Sequence, residues 1–259
     1  MKNILISDDL LSSHGILEIT INRPKVLNSL DTETLREIVN TLHDHKDFAK
    51  VVVITGSEKS FSAGADISQM VNQSPVDQIK DDREFLWKEF NAYPFPIIAA
   101  VNGVAMGGGM EIALACDLII ASSNARFALP EPKVGLAALA GGMQRLPRQI
   151  GMKNAMGMML TGRHVEAAEA KELGIVNEVV ESQSDLMDRA RDWAKQIEAC
   201  SPMSIRATKQ VAYDSLNEAS LEASMSAQYT AVHDLFTSED FIEGPVAFAE
   251  KRAPNWKGK

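Results

Sequence analysis

Three consecutive glycines at positions 107–109, between two apolar segments, constrain the fold of this chain more than any other feature. The preceding segment, Pro96–Val101, is typical of a buried strand, and the following segment, Ile112–Cys116, predicts a helix. A strand, a bare loop and a helix in this order indicate an α/β arrangement in which a ligand can approach the backbone. The first N–H groups of such a helix have no partner inside it and favour negative charge.

Glu111 falls in the first turn of this predicted helix. A carboxylate beside an anion-binding backbone suits chemistry in which an oxyanion forms while a proton moves. Alternatively, the glycines only allow tight helix–strand packing, and Glu111 only interacts with the helix dipole. This segment alone leaves both interpretations open.

Composition indicates an ordinary globular protein, with 45% hydrophobic and 24% charged residues in 259. The formal charge of -9 argues against a general nucleic-acid or anionic-membrane surface, so an anionic ligand must meet a local basic pocket.

The two cysteines, Cys116 and Cys200, form no Cys-x-x-Cys pair, and we expect both to be small core residues of a reduced compartment. We find no secretory signal at the N-terminus and no uninterrupted apolar span, which predicts a cytoplasmic protein without a membrane segment.

Strands and helices alternate along the first two thirds of the chain, and the last part is helical. Strands are predicted at 16–21 (half-buried, from its period-two pattern), 51–55, 97–101, 118–120 and 175–180, and helices after Asp31 and at 77–90, 143–150, 153–160, 167–173, 186–199, 204–216, 221–236 and 238–251. We place a boundary near Cys200. Residues 1–199 then form an α/β core, and residues 200–259 form a helical region that needs the core or another subunit to pack against.

Further motifs follow one another in a fixed order. They are Asn22–Lys25 with Leu27–Leu30, Phe61–Ile67, Ala100–Gly103 leading into the glycines and Glu111, Pro130–Glu131, Gly141–Leu146, Leu160–Gly162 and Phe248–Arg252. Over nearly the whole chain, this ordered set resembles the enoyl-CoA hydratase/isomerase (crotonase) superfamily. The resemblance implies a spiral of ββα units followed by a C-terminal α-helical trimerisation region, and a homotrimer or a dimer of trimers.

The resemblance also implies an enoyl-CoA hydratase, which adds water reversibly to a 2-enoyl-CoA thioester and gives a 3-hydroxyacyl-CoA. The backbone N–H groups of Ala65 and Gly108 would bind the thioester oxygen, Glu111 would activate water, and Glu131 would protonate the α-carbon. Glu131 has an alternative role as a turn residue between two prolines. The coenzyme A thioester is the substrate, and the reaction needs neither a prosthetic group nor a metal.

The same resemblance assigns residues to the coenzyme A portion of the substrate. The backbone near Ala63 and Ala65 would meet the adenine, within a loop that continues through Asp66 and Ile67. Lys25, Val26 and Leu27 would lie near the nucleotide, and Phe248 and Lys251 would close the pocket from a neighbouring subunit. For Lys25 and Lys251, a solvated surface charge is the alternative.

Two positions depart from the family pattern. Many hydratases carry glutamine just before Pro-Glu, where this chain has Leu129, and Pro-Gly before Ala-Gly-Gly, where it has Ala138-Leu139. We expect these apolar residues to change water placement or pocket shape, which leaves a carnitinyl-CoA-like dehydratase open. An enoyl-CoA isomerase, which often keeps one carboxylate, is disfavoured by the two glutamates. A non-catalytic CoA- or RNA-binding module is disfavoured by the intact glutamates and the negative charge.

Overall fold

A computed structural model describes residues 3–57, 59–67 and 82–259, and its strands form two sheets. The larger sheet contains, in spatial order, β1 (Ile4–Ser7), β2 (Ile16–Ile21), β3 (Val51–Gly56), β5 (Ile97–Val101), β7 (Leu118–Ser122) and β10 (Glu178–Val180). The smaller sheet contains β4 (Ser60–Ser62), β6 (Val104–Met106), β8 (Arg126–Ala128) and β9 (Val165–Glu166). Neighbouring strands are parallel except for the pairs β1–β2 and β8–β9.

The described helices are numbered in chain order. They are α1 (Leu11–His14), α2 (Thr32–His45), α3 (Arg83–Asn91), α4 (Gly108–Ala115), α5 (Gly142–Ile150), α6 (Met152–Thr161), α7 (Ala167–Leu173), α8 (Gln183–Glu198), α9 (Pro202–Asp214), α10 (Leu221–Ser226), α11 (Thr230–Thr237) and α12 (Glu239–Glu250). Short 3-10 turns occur at Pro24–Val26, Glu131–Val134 and Ser215–Asn217.

From β3 to β8, successive strands alternate between the two sheets. The chain passes from β3 in the larger sheet to β4 in the smaller one, and repeats this step from β5 to β6 and from β7 to β8. Helix α4 follows β6 and leads back to the larger sheet at β7. This is the predicted spiral of ββα units, and it carries the loop after each strand of the smaller sheet to one region of the molecule.

Apolar side chains cover both faces of the larger sheet. Leu186, Ala190 and Ala194 of α8 pack on one face, and the main core lies against the other. The prediction that 16–21 is half-buried was therefore wrong: Ile16 and Leu17, which point to opposite faces, are both fully buried. The polar residues Glu18 and Thr20 produced the alternating pattern in the sequence. Helix α8 nevertheless covers the face of the sheet to which they belong.

Local signals placed the first long helix well. The Asp31 side chain accepts a hydrogen bond from the Thr34 N–H at 2.7 Å, which confirms the predicted N-cap of α2. Serine side chains cap α8, α9, α10 and α12 in the same way. Residues 77–81 of the predicted charged helix lie outside the described residues, and α3 accounts for the rest.

Three further predictions of local structure were wrong. The helix at 221–236 is divided, because Ala227 is extended and α11 begins anew, with the Gln210 side chain accepting from the Ala231 N–H. The strand at 175–180 is shorter, since Ile175 and Val176 are buried in the core outside the strand ladder. Cys200 is exposed just after α8, whereas Cys116 is buried as expected.

The residues after Cys200 are mainly helical, and the domain boundary there stays a prediction. Lys209 ties α9 to the core, because its Nζ donates to the Phe95 carbonyl at 2.7 Å and pairs with Asp117 at 2.8 Å. The chain end folds back on α12, where the buried Asp240 carboxylate accepts from the Lys257 N–H. Over residues 3–57, 59–67 and 82–259, no helix has the length and apolarity of a membrane span.

Candidate active site

Two glycine-bearing loops, one after β4 and one after β6, lie against each other. Gly64 has φ +97°, and a methyl group on it would stand 2.6 Å from the Met106 carbonyl oxygen. A methyl group on Gly109 would stand 2.3 Å from the Ser62 carbonyl oxygen. No side chain fits at these distances, so glycine is required at both positions for the loops to meet.

This contact brings two backbone N–H groups together. A methyl group on Gly108 would stand 3.5 Å from the Ala65 nitrogen. Leu30 pairs with the other edge of the Ala65 segment: it donates to the Gly64 carbonyl at 2.7 Å and accepts from the Asp66 N–H at 3.0 Å. The Ala65 N–H therefore points away from Leu30. Among the described residues, neither the Ala65 nor the Gly108 N–H donates a hydrogen bond. Two free donors can bind a carbonyl oxygen that gains negative charge.

Glu111 lies in the first turn of α4 and is only 4% exposed. Its Oε1 accepts a hydrogen bond from the Gly142 N–H, at the start of α5, at 2.9 Å. Burial raises the pKa of Glu111 to about 7, and the nearby Glu131 carboxylate acts in the same direction, while the Gly142 hydrogen bond opposes them. A carboxyl group with a pKa near neutrality can both accept and release a proton at neutral pH.

Glu131 opens the 3-10 turn Glu131–Val134, directly after β8 and Pro130. A methyl group on Gly107 would stand 2.9 Å from Glu131 Oε1, so this carboxylate lies over the glycine loop. Its Oε2 is buried, and within the described part of the chain it has no hydrogen-bond partner. Burial raises the pKa of Glu131 as well. An unpartnered buried carboxyl oxygen is suited to exchange a proton with a bound molecule.

Both glutamates thus flank the same glycine loop. The Glu111 N–H donates to the Gly107 carbonyl at 2.9 Å, and the Gly107 N–H donates to the Ala128 carbonyl of β8 at 2.9 Å. These bonds join the turn that carries Glu131 to the helix that carries Glu111. Across the described residues, no group of three His, Cys, Asp or Glu side chains is arranged to hold a metal ion.

The first predicted coenzyme A segment adjoins these loops. Lys25, Val26 and Leu27 lie at the surface, and the Leu27 carbonyl accepts from the Ala63 N–H at 2.9 Å. The segment therefore borders the loop that continues through Asp66 and Ile67. Ile67 is 46% exposed, whereas the Asp66 carboxylate pairs with Arg23 at 3.1 Å and so has an internal partner.

Phe248 and Lys251 lie elsewhere in the chain, at the end of α12. Phe248 is 87% exposed, and Lys251 ends the helix in the left-handed conformation. Among the described residues, no hydrogen bond or ion pair joins either side chain to the loops of Ala65 and Gly108. The place of these two residues in the candidate site therefore stays a prediction.

Sequence reasoning gave no role to two arginines that support the site. Arg23 pairs with both Asp31 and Asp66 at 3.1 Å and donates to the Ser29 carbonyl at 2.6 Å, which fixes the loop beside Ala65. Arg145 contacts the turn that binds Glu111, through the Ala140 carbonyl. Both residues occur in the motifs quoted from the sequence, but only the fold reveals what they contact.

The two departures from the family pattern have different surroundings. Leu129 is 1% exposed and is part of the main hydrophobic core. Leu139 is 80% exposed, in the loop that leads to Gly142. Of these two leucines, Leu139 is the one available to a molecule that enters from solvent.

Comparisons with known proteins agree with this architecture. A family model described as Enoyl-CoA hydratase/isomerase matches residues 12–259. Carnitinyl-CoA dehydratase of Escherichia coli O157:H7 is 43% identical over 254 residues, 95% of this chain and 96% of the relative. The 2,3-dehydroadipyl-CoA hydratase of Escherichia coli K12 is 38% identical over 246 residues, 94% of this chain and 96% of that protein.

Solved structures match over the whole length. The enoyl-CoA hydratase of Bacillus anthracis superimposes with a TM-score of 0.91 at 33% identity, covering 99% of this chain and 100% of that one. The enoyl-CoA hydratase of Mycobacterium tuberculosis H37Rv gives a TM-score of 0.89 at 35% identity and full coverage of both chains. The spiral, together with these matches, defines a crotonase-fold enzyme. Within that class, the chain belongs to the enoyl-CoA hydratase/isomerase family.

Proposed function

We propose that this protein is an enoyl-CoA hydratase. The observation that carries the proposal is the placement of two carboxyl groups, Glu111 and Glu131, around the loop of Gly108, which lies against the loop of Ala65. Among the described residues, the N–H groups of Gly108 and Ala65 donate no hydrogen bond. Both carboxyl groups have raised pKa values. In a pair of this kind, one carboxyl can hold a proton while the other is ionised near neutral pH.

The N–H groups of Ala65 and Gly108 bind the thioester carbonyl oxygen. Glu111 takes a proton from water as the water oxygen bonds to the β-carbon of the enoyl group. The electron pair of the double bond moves toward the thioester, and its oxygen gains negative charge against the two donors. Each such donor typically lowers the barrier by roughly 2.7–4 kcal/mol. Glu131 then gives its proton to the α-carbon, and the reverse sequence removes water.

The coenzyme A portion lies along the segment Lys25–Leu27 and the loop from Ala63 to Ile67, in this proposal. Phe248 and Lys251 complete the pocket from a second subunit of a homotrimer or a dimer of trimers. The 87% exposure of Phe248 in one chain leaves its ring available to a second subunit and supports this arrangement. Coenzyme A thioester and water are the substrates, and the proton transfers above use the two glutamates of the chain.

Loss of the conjugated thioester absorbance of crotonyl-CoA tests the proposal. The wild-type protein should consume this absorbance, and Glu111→Gln and Glu131→Gln should each lower kcat at least about a hundredfold, since general acid–base catalysis contributes that much. The kcat/KM of the wild type should fall at low pH, where both carboxyls are protonated, and at high pH, where both are ionised. Glu169→Gln, at an exposed carboxylate, is the control. Near-complete activity in both site variants would contradict the proposal.

A dehydratase of a functionalised acyl-CoA is the second candidate. The 43% identity to a carnitinyl-CoA dehydratase and the exposed Leu139 at the expected water loop favour it. In that reaction, Glu131 removes the α-proton and Glu111 protonates the leaving hydroxyl. Dehydration of carnitinyl-CoA at a kcat/KM above that for hydration of crotonyl-CoA would select this candidate, and both Gln variants should abolish it.

A further inference from the structure

Arg145 lies next to the turn that orients Glu111. Its Nη1 donates to the Ala140 carbonyl at 3.3 Å, and its Nη2 donates to the Asn91 side-chain oxygen, at the end of α3, at 2.8 Å. The guanidinium packs directly against Gly141, where φ is +106° and a methyl group would stand 2.0 Å from Nη1. Glycine at 141 and arginine at 145 therefore fit one another, and the arginine joins the turn to α3.

The turn held by Arg145 carries the donor that binds Glu111. The Gly142 N–H donates to Glu111 Oε1 at 2.9 Å, and a methyl group on Gly142 would stand 3.1 Å from the same oxygen. A shift of the turn would therefore move this carboxylate. We infer that Arg145 is a positioning residue, which holds the turn 140–142 so that Gly142 fixes the Glu111 carboxylate for proton transfer. The inference rests on the proposed role of Glu111 as the base.

Charge gives Arg145 a second influence on Glu111. The guanidinium favours the ionised carboxylate and opposes the burial and the Glu131 charge that raise the pKa of Glu111. The other titratable groups that face Arg145 are Tyr213 of α9 and Cys116 after α4. Burial raises the pKa of both, so they remain neutral over the pH range of an activity assay. Among the described groups that act on Glu111, the charged ones are thus Arg145 and Glu131.

Two substitutions separate position from charge. Arg145→Met removes both, so kcat should fall by on the order of 10- to 100-fold with little change in KM, because small misplacements of a reacting group are this costly. The acidic limb of its pH profile should move to higher pH. Arg145→Lys keeps the charge but cannot bond two oxygens as a fork, so its acidic limb should stay near that of the wild type while kcat remains reduced.

Arg148→Met is the matched control, on the same helix. Arg148 is exposed, and its Nη1 donates to the Gln144 carbonyl one turn earlier. This variant should keep wild-type kcat and pH profile. Asn91→Ala removes one contact of Arg145 at an exposed position and tests the inference if Arg145→Met does not fold; it should lower kcat less than Arg145→Lys does.

Wild-type kcat and an unmoved acidic limb in Arg145→Met would overturn the inference. A rise in KM at constant kcat would also overturn it, because Arg145 would then bind substrate. The infrared band of the protonated Glu111 carboxyl, assigned by its loss in Glu111→Gln, gives a readout that needs no turnover. Its titration should move to higher pH in Arg145→Met. If the wild type fails to hydrate crotonyl-CoA, the proposed function fails for that substrate, and the infrared titration still decides the role of Arg145.

Discussion

At the scale of single residues, the candidate site combines carboxyl groups whose pKa values are raised by burial with glycines that no other residue can replace. Gly107 has φ +52°, and a side chain there would meet the Glu131 carboxyl oxygen at 2.9 Å. The same burial that makes Glu111 a useful base disfavours its charged form in the folded state. Function and stability therefore conflict at Glu111.

Glu111→Gln should make the protein more stable at alkaline pH. The folded-state pKa of Glu111, about 7, lies above its ordinary value of 4.5, so folding favours the protonated form. In the wild type, protonated Glu111 contributes its whole stabilisation below about pH 4.5, and this contribution is lost as the pH rises to about 7. Glutamine cannot ionise, so the stability of the variant relative to wild type should increase by about 2–3 kcal/mol between about pH 5 and pH 8.

Urea unfolding at several pH values measures this difference. Glu169→Gln is the control with the opposite sign, because its hydrogen bond to Arg163 lowers the pKa of Glu169. A Glu111→Gln variant whose advantage over wild type does not grow with pH would contradict the assignment of a raised pKa to Glu111.

At the scale of elements, α8 covers one face of the larger sheet and places the guanidinium of Arg191 against it. Arg191 donates from Nε and Nη2 to the two carboxylate oxygens of Glu18, at 2.7 and 2.9 Å. Glu18 is 7% exposed on β2, whereas the Arg191 side chain is 35% exposed. The pair therefore allows a carboxylate to lie beneath the helix.

Arg191→Met should lower the free energy of unfolding by about 1–3 kcal/mol, because it leaves a buried carboxylate without its donor. Arg189→Met, also on α8, should lower it less, because its partner Glu178 of β10 is 27% exposed and keeps the hydrogen bond from Trp193 Nε1. Adding Glu18→Gln to Arg191→Met should recover part of the loss, since the lone charge is then gone. Chemical denaturation of the four proteins decides the matter, and equal stability of Arg191→Met and wild type would contradict the prediction.

Elements were predictable where the signal is local, and their pairing was not. Asp31 and the glycines at 107–109 set helix starts through short-range geometry, so the predicted positions were close. The alternation of strands between two sheets depends on pairings across tens of residues, and composition and spacing alone do not give it; the family resemblance did. The covering of β2 by α8 and the break at Ala227 also depend on tertiary packing.

In the candidate site too, local features were predictable from the sequence and long-range contacts were not. Glu111 and its glycine loop are contiguous in sequence, so their association was evident from the sequence alone. The contact of Glu111 with Gly142, and the position of Glu131 over Gly107, join residues that lie on different turns of the spiral. The sequence shows two separate glutamates but not that they meet.

At the scale of the whole molecule, the net charge of -9 conflicts with an anionic coenzyme A ligand. Arg23, near the candidate site, is already engaged by Asp31 and Asp66. Lys25 lies at the surface beside the Ala63 loop, but Lys251 lies at the far end of the chain. A second copy that brings Lys251 and Phe248 to this site would supply the missing charge and an apolar cover. We therefore expect the solution mass to be three or six times that of one chain.

Phe248→Ala should raise the KM for crotonyl-CoA about tenfold and leave kcat near the wild-type value. The ring is 87% exposed in one chain and would become buried on the bound ligand from a second subunit. Burial of an aromatic side chain contributes about 1.5–3 kcal/mol, and binding common to substrate and transition state appears in KM rather than kcat. Phe48→Ala, an exposed phenylalanine in a cleft near Asp8 and Asp47, is the control and should leave KM unchanged. An unchanged KM in Phe248→Ala would argue against the shared pocket, and light scattering that finds a monomer would exclude it, because a shared pocket needs a second subunit.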